Sequence, residues 1–309
     1  MKKPVIIDCD PGIDDAIALF MAFATEKLDV RAITTVAGNV NLEKTSKNAL
    51  KLAEYAGYSV KVARGASKPI TRELVTAEFI HGESGLGNMV FPEPTERFYH
   101  KNAYDTIYEE AINCENKLHI IALGPLTNIA ITLLKYPDIK KKLNHITVMG
   151  GSTELGNHTP AAEFNIYVDP EAAKIVFESG VPITMVGLNV TSKAYATEED
   201  LKEILSYNNK PSEFVAKSLM PLLDFFEKLD FGGVPLHDPA AMAAVIDESL
   251  LKTKLLHVDI ETRGDVTRGK TVVDVYGVTG KRPNVNVAFN IDREKFINLL
   301  KGLMKKYGI

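Results

Sequence analysis

Cysteine is almost absent. Cys9 and Cys114 are the only two in 309 residues, too few for a disulfide framework. The pair could form one bridge, but two reduced thiols in a cytosolic protein is the plainer expectation. Charge of one sign is also missing. Lys and Arg number 36 against 40 Asp and Glu, for a net charge of −4. With no dense basic run, this counts against a nucleic-acid partner. Long apolar runs are missing as well. Asp8 cuts short Val5-Ile6-Ile7, which excludes a signal-peptide core, and no stretch nears the ~20 apolar residues of a spanning helix. Export and membrane association are not expected. What remains is ordinary for a soluble globular chain, with 45% hydrophobic and 25% charged residues.

Strand-like and helix-like segments alternate along most of the chain. Val5–Ile7, Val30–Val36, Val60–Ala63, Leu118–Leu123, Ile146–Met149 and Ile183–Val186 read as strands. Between them, Asp14–Thr25, Asn41–Tyr55, Ala103–Cys114, Leu126–Leu134 and Pro170–Glu178 read as helices. This alternation predicts an α/β fold, an open and mostly parallel sheet with helices on both faces. The last third differs. Glu198–Leu205 and Ser212–Lys228 are predicted helices, Leu255–Glu261, Thr271–Tyr276 and Asn284–Phe289 a small antiparallel addition, and Arg293–Lys306 a closing helix. No linker or repeat interrupts the pattern, so a single domain over residues 1–309 is expected. Two long irregular stretches, 64–100 and 189–197, are candidates for functional loops.

The densest chemical signal is Asp8-Cys9-Asp10-Pro11-Gly12-Ile13-Asp14-Asp15. Four carboxylates fall where the first strand hands over to the first helix, the edge at which open α/β sheets bind ligands. A helix cap accounts for Asp14 or Asp15. It leaves Asp8 and Asp10, which strand alternation puts on one side, repelling each other. A hard cation held by oxygen relieves that repulsion. Cys9, between two carboxylates, is a poor thiolate.

A second signal is His237-Asp238-Pro239 before an apolar stretch. Alone it reads as a helix cap with proline in the first turn. Beside the aspartate run, Asp238 becomes a candidate metal ligand and His237 a candidate acid. A third runs from Gly150-Gly151-Ser152 through Asn157 to Glu163-Phe164-Asn165. These side chains suit a polyhydroxylated ligand, and equally a loop capped by its own side chains. Gly82-Glu83-Ser84-Gly85-Leu86 fails the G-x-S-x-G pattern, and no P-loop occurs. His81, in the same Gly-rich loop, reads equally as a ligand contact or a solvated residue.

Together these motifs resemble the inosine–uridine-preferring nucleoside hydrolase family. The resemblance runs along nearly the whole chain. It takes in Thr34-Thr35-Val36-Ala37-Gly38-Asn39, His81-Gly82-Glu83-Ser84-Gly85, Gly124-Pro125-Leu126-Thr127-Asn128, Met149-Gly150-Gly151, Ala162-Glu163-Phe164-Asn165-Ile166 and Asp169-Pro170-Glu171. Gly269-Lys270-Thr271-Val272-Val273-Asp274 is similar to bacterial ribonucleoside hydrolases of broad substrate range. The resemblance implies the nucleoside hydrolase fold and release of base and ribose from a purine or pyrimidine ribonucleoside. It implies Ca2+ held by Asp10, Asp15, Asp238 and the Leu123 carbonyl, with Asp10 also the general base. Asp14 and Asn165 would hold the 2′-hydroxyl side of the ribose, Asn157 and Glu163 its 5′-hydroxyl. Met149 would contact substrate, Asn39 would support the aspartates, and His237 and His81 would lie near the departing base. It also implies a cytoplasmic homodimer or homotetramer serving nucleoside salvage.

Two other readings compete. Phosphohydrolases of the haloacid dehalogenase type also start with a strand and Asp-x-Asp, but continue with Gly-Thr where this chain has Pro-Gly-Ile-Asp-Asp. Phosphate release would mark them. A nucleoside-binding relative without catalysis would be expected to lose Asp10 or Asp238, and both are present.

Overall fold

The computed structural model describes residues 2–308. Eleven strands occur among them: β1 (Lys3–Cys9), β2 (Leu28–Thr35), β3 (Lys61–Arg64), β4 (Leu118–Ala122), β5 (Leu143–Met149), β6 (Ile183–Val186), β7 (Tyr195–Ala196), β8 (Val234–Pro235), β9 (Leu251–Ile260), β10 (Thr271–Asp274) and β11 (Val285–Ile291). Nine form one sheet in the order β10-β9-β11-β6-β5-β4-β1-β2-β3, and β7 pairs with β8 alone. From β3 to β11 every pairing is parallel, while β9 runs antiparallel to both β11 and β10. The expected antiparallel addition is thus continuous with the main sheet, joined through β11.

Alternation along β1 shows why both faces are covered. Val5, Ile7 and Cys9 pack into one apolar cluster and Ile6 into the other. The first cluster takes in the helices Ile13–Ala24, His237–Ile246 and Arg293–Lys305, the second those at Ala103–Asn113, Thr127–Lys135 and Pro170–Phe177. The helix Leu42–Tyr55 starts at Asn41, whose side chain accepts the Lys44 N–H, and stops at Gly57 with φ of 66°.

One expected helix is interrupted. In place of an unbroken Ser212–Lys228 there is a helix at Lys210–Leu219, a 3₁₀ turn at Met220–Leu222 and a short helix at Leu223–Glu227. Pro221, with no N–H to give and a ring that crowds the preceding turn, sits at the break. Both long irregular stretches carry one short helix, Glu78–His81 and Leu188–Thr191.

The strand order reverses between β1 and β4, which puts a crevice at their carboxyl ends. Asp10 follows β1, Asn39 follows β2, Leu123 follows β4 and Gly150 follows β5. The helices that begin at Ile13 and His237 pack against each other and bring Asp14 and Asp15 to Asp238.

Candidate active site

A cavity of about 660 Å³ opens at this edge of the sheet. Its lining includes Asp14, Asn39, His81, Leu123, Met149, Asn157, Glu163, Asn165, His237 and Asp238. Ten of the twelve residues singled out from the sequence therefore share one cavity. The other two, Asp10 and Asp15, are wholly buried.

Carboxylate oxygens of Asp14, Asp15 and Asp238 lie within 4.8 Å of one another. Asp10 is outside that trio. Its Oδ2 accepts the Asn39 N–H at 2.7 Å, and its Oδ1 has no partner among the described residues and faces Gly124, where a Cβ would come within 2.4 Å. Asn39 Nδ2 donates to the Asp10 carbonyl at 3.1 Å and to Asp15 Oδ2 at 3.0 Å. Asp15 also accepts the N–H groups of Gly12 and Asp10. Asp8 Oδ2 accepts from Thr34 Oγ1 at 2.5 Å and Asn128 Nδ2 at 2.8 Å, and its buried Oδ1 has no hydrogen-bond partner among the described residues.

These carboxyls are hard to ionise as they stand. Burial pushes Asp15 up to about 7, and Asp10 and Asp238 well above the usual carboxylate range, with neighbouring aspartates adding repulsion. A buried, all-oxygen, mutually repelling set fits a hard divalent cation, which would reverse the shift. Burial, more than the flanking aspartates, raises the Cys9 thiol, so Cys9 is no nucleophile.

Across the cavity, Glu163 caps the helix Phe164–Val168. Its Oε1 accepts the Asn165 N–H at 2.9 Å, and its Oε2 accepts those of Ile166 at 3.1 Å and Gly151 at 3.0 Å. Burial nevertheless lifts its carboxyl to about 7. Asn165 Nδ2 donates to the carbonyls of Leu123 at 2.7 Å and Met149 at 3.1 Å, tying the ends of β4 and β5 together. Asn157 Oδ1 accepts the Phe164 N–H at 3.0 Å.

The histidines line the same cavity as Asp14 and Asp238. His81 ends the helix Glu78–His81 and accepts the Ile13 N–H on Nδ1. His237 Nδ1 shares a 2.7 Å hydrogen bond with Thr191 Oγ1. Burial lowers both imidazoles, against a raising influence from Asp14. Thr191 was not visible as a site residue, because nothing in the sequence links it to a histidine 46 positions away. The rings of Phe225, Phe226 and Phe231 line the cavity, Phe226 also packs against the first apolar cluster, and it meets the other two edge-on. Ser84 only closes its own turn, its hydroxyl bonded to Gly87 and Leu86.

Residues 5–298 match the family model for inosine-uridine preferring nucleoside hydrolase. The chain belongs to that family. It is 44% identical, over the full length of both chains, to the pyrimidine-specific ribonucleoside hydrolase RihA of Escherichia coli O81, and equally to that of Salmonella arizonae. Among solved structures, a plant nucleoside hydrolase, the PpNRh1 enzyme, superposes with a TM-score of 0.92 at 36% identity over 99% of each chain. A purine-preferring ribonucleoside hydrolase from Gardnerella vaginalis gives 0.92 at 32% identity, also over 99% of each. As a nucleoside hydrolase the chain is an enzyme of N-glycosidic bond hydrolysis, which excludes the phosphohydrolase reading.

Proposed function

We propose that this nucleoside hydrolase takes ribonucleosides as substrates, with Ca2+ as its cofactor and pyrimidine ribonucleosides the first to test. The observation that carries the reading is that Asp14 and Asp238, clustered with the buried Asp15, line the same cavity as Glu163 and Asn165. The full-length identity to RihA supports the choice of pyrimidines.

Asp15 and Asp238, with Asp10 and the Leu123 carbonyl, are the proposed cation ligands. Such a cation, when bound, supplies charge that acidifies water and grips vicinal hydroxyls. Asp14 and Asn165 hold the 2′-hydroxyl side of the ribose, and Asn157 and Glu163 the 5′-hydroxyl. Gripping the sugar at both ends orients its anomeric carbon. Loss of the base leaves an oxocarbenium-like ribose, whose positive charge the surrounding carboxylates stabilise. Asp10 takes the proton of the attacking water on the unpartnered Oδ1. His237, in its imidazolium form with Nδ1–H held by Thr191 Oγ1, gives its Nε2 proton to the departing base and is left a neutral ring. His81 and the phenylalanines line the side where the base leaves.

One domain, a cytoplasmic setting and a homodimer or homotetramer complete the proposal. Among the described residues no helix is long and apolar enough to cross a membrane. The test is ribose release from uridine, cytidine, inosine, adenosine and xanthosine, with calcium and then with a chelator. Chelator-sensitive release, greatest for uridine or cytidine, supports the reading. Nucleoside binding without release of base would overturn it.

A further inference from the structure

We infer that Thr271, on the added strand β10, is a positioning residue for the ribose site, acting through the turn Gly150–Ser152 and Glu163. The inference rests on the reading of Glu163 as the group that holds the 5′-hydroxyl.

The turn follows β5 and enters the cavity. Gly151 has a φ of 73° and gives its N–H to Glu163 Oε2 at 3.0 Å. Among the described residues that is one of three donors holding the Glu163 carboxylate, and the other two come from the helix that Glu163 caps. The third donor is therefore the one that ties Glu163 to a different part of the fold. What aims Gly151 is its neighbour. Ser152 gives its N–H to Thr271 Oγ1 at 2.9 Å and receives the Thr271 hydroxyl proton on its carbonyl at 2.6 Å. One buried hydroxyl thus meets both backbone polar groups of Ser152, across 119 positions of sequence.

The fit is tight as well as polar. A Cβ on Gly151 would stand 2.5 Å from Thr271 Cγ2, so the threonine methyl closes the space beside the turn. Leu188 secures the far side, donating to the Gly151 carbonyl at 2.9 Å. Without the Thr271 hydroxyl, two buried backbone groups lose their partner. The turn then has reason to move, and the Gly151 N–H moves with it. A hydrogen-bonding site loses its selectivity when its groups are no longer held in place. The edge strand β10, remote in sequence from every group of the proposed mechanism, is in this way part of the ribose site.

The test compares kcat/KM for uridine and 5′-deoxyuridine in wild type, Glu163→Gln, Thr271→Val, Thr271→Cys and Thr271→Ser, each checked by thermal melting. Thr271→Val should lower the preference for uridine about tenfold, chiefly by losing the 5′-hydroxyl contribution. Thr271→Ser, which keeps the hydroxyl, should restore it, and Thr271→Cys should fall between. Hydrogen exchange at the Gly151 N–H should quicken in Thr271→Val and not in Thr271→Ser. If Thr271→Val does not fold, the order of Ser, Cys and wild type decides the matter. A wild-type preference that persists through Thr271→Val, or that is equal in the Ser and Cys variants, overturns the inference alone. A wild type or Glu163→Gln variant showing no role for the 5′-hydroxyl overturns the reading of Glu163, and this inference with it.

Discussion

The backbone N–H of Ile13 donates to His81 Nδ1 at 3.1 Å. The helix that carries Asp14 and Asp15 thereby has one of its free N-terminal donors satisfied by a side chain from a loop 68 positions away. Because Nδ1 is an acceptor here, the proton of the neutral ring sits on Nε2. The same bond keeps the Gly-rich loop against the aspartates. His81→Ala should raise KM for ribonucleosides and loosen this loop, seen as faster proteolysis between residues 82 and 87, while His81→Asn should keep part of both.

Cation binding should stabilise the fold, because the carboxyls of Asp15 and Asp238 are costly to leave unneutralised. Calcium at a hundredfold excess over its Kd should add about 2.7 kcal/mol, visible as a rise in Tm. Asp238→Asn should abolish most of that rise and lower kcat/KM by about a hundredfold or more. An equal rise in Tm for wild type and Asp238→Asn would refute the assignment.

Deoxyribonucleosides should be poor substrates. A site whose groups are committed to a hydroxyl discriminates against its absence by about 10⁴-fold. The measurement is kcat/KM for uridine against 2′-deoxyuridine, and near equality would remove Asp14 and Asn165 from the ribose.

His237→Ala should cost about 10²–10⁴-fold in kcat on natural ribonucleosides. Hydrolysis of 4-nitrophenyl riboside, whose leaving group departs without a proton, should be far less affected. Equal losses on both would mean that His237 positions substrate and protonates nothing.

Acid should destabilise the protein through a residue outside the site. His119 is buried on β4, with Nε2 on Thr147 Oγ1 at 2.9 Å, and its Nδ1 has no partner among the described residues. Burial lowers its pKa from 6.5 to about 3, with the neighbouring His145 lowering it further. The unfolded chain takes up this proton first, so the contribution is complete above about 6.5 and is lost as pH falls towards 3. The full effect is on the order of a few kcal/mol. Urea midpoints at pH 7.5 and pH 5 should differ less in His119→Gln than in wild type.

Much of this was legible in the chain, for physical reasons that differ by element. Strands and helices of the parallel part announce themselves because both faces of the sheet are covered and turn residues such as Asn41, Gly57 and Pro170 stand at their ends. The aspartates and His237 stood out by their own pattern, whereas Asn157, Glu163, Asn165 and His81 were separable from ordinary loop residues only through the family resemblance. Partners distant in sequence were not. Asn128 holds Asp8 from 120 positions away, and only the packed sheet shows that these groups meet. β9 begins at Leu251, four residues before the expected start, because Lys252 and Lys254 lie exposed on an outer strand and give no apolar signal there. The three phenylalanines have a spacing that more often serves a core, and only the folded chain shows that they line the cavity.

The pairing of the helix that starts at Ile13 with the one that starts at His237 also sets when the site can exist. Asp14 and Asp15 leave the ribosome early, and their partner carboxylate is not synthesised until residue 238. Any nascent or truncated chain that ends before the second helix holds an incomplete acidic cluster. Assembly of the cavity is therefore a late event in the life of each molecule, and a fragment lacking the last quarter of the chain would be inert even if its sheet had formed.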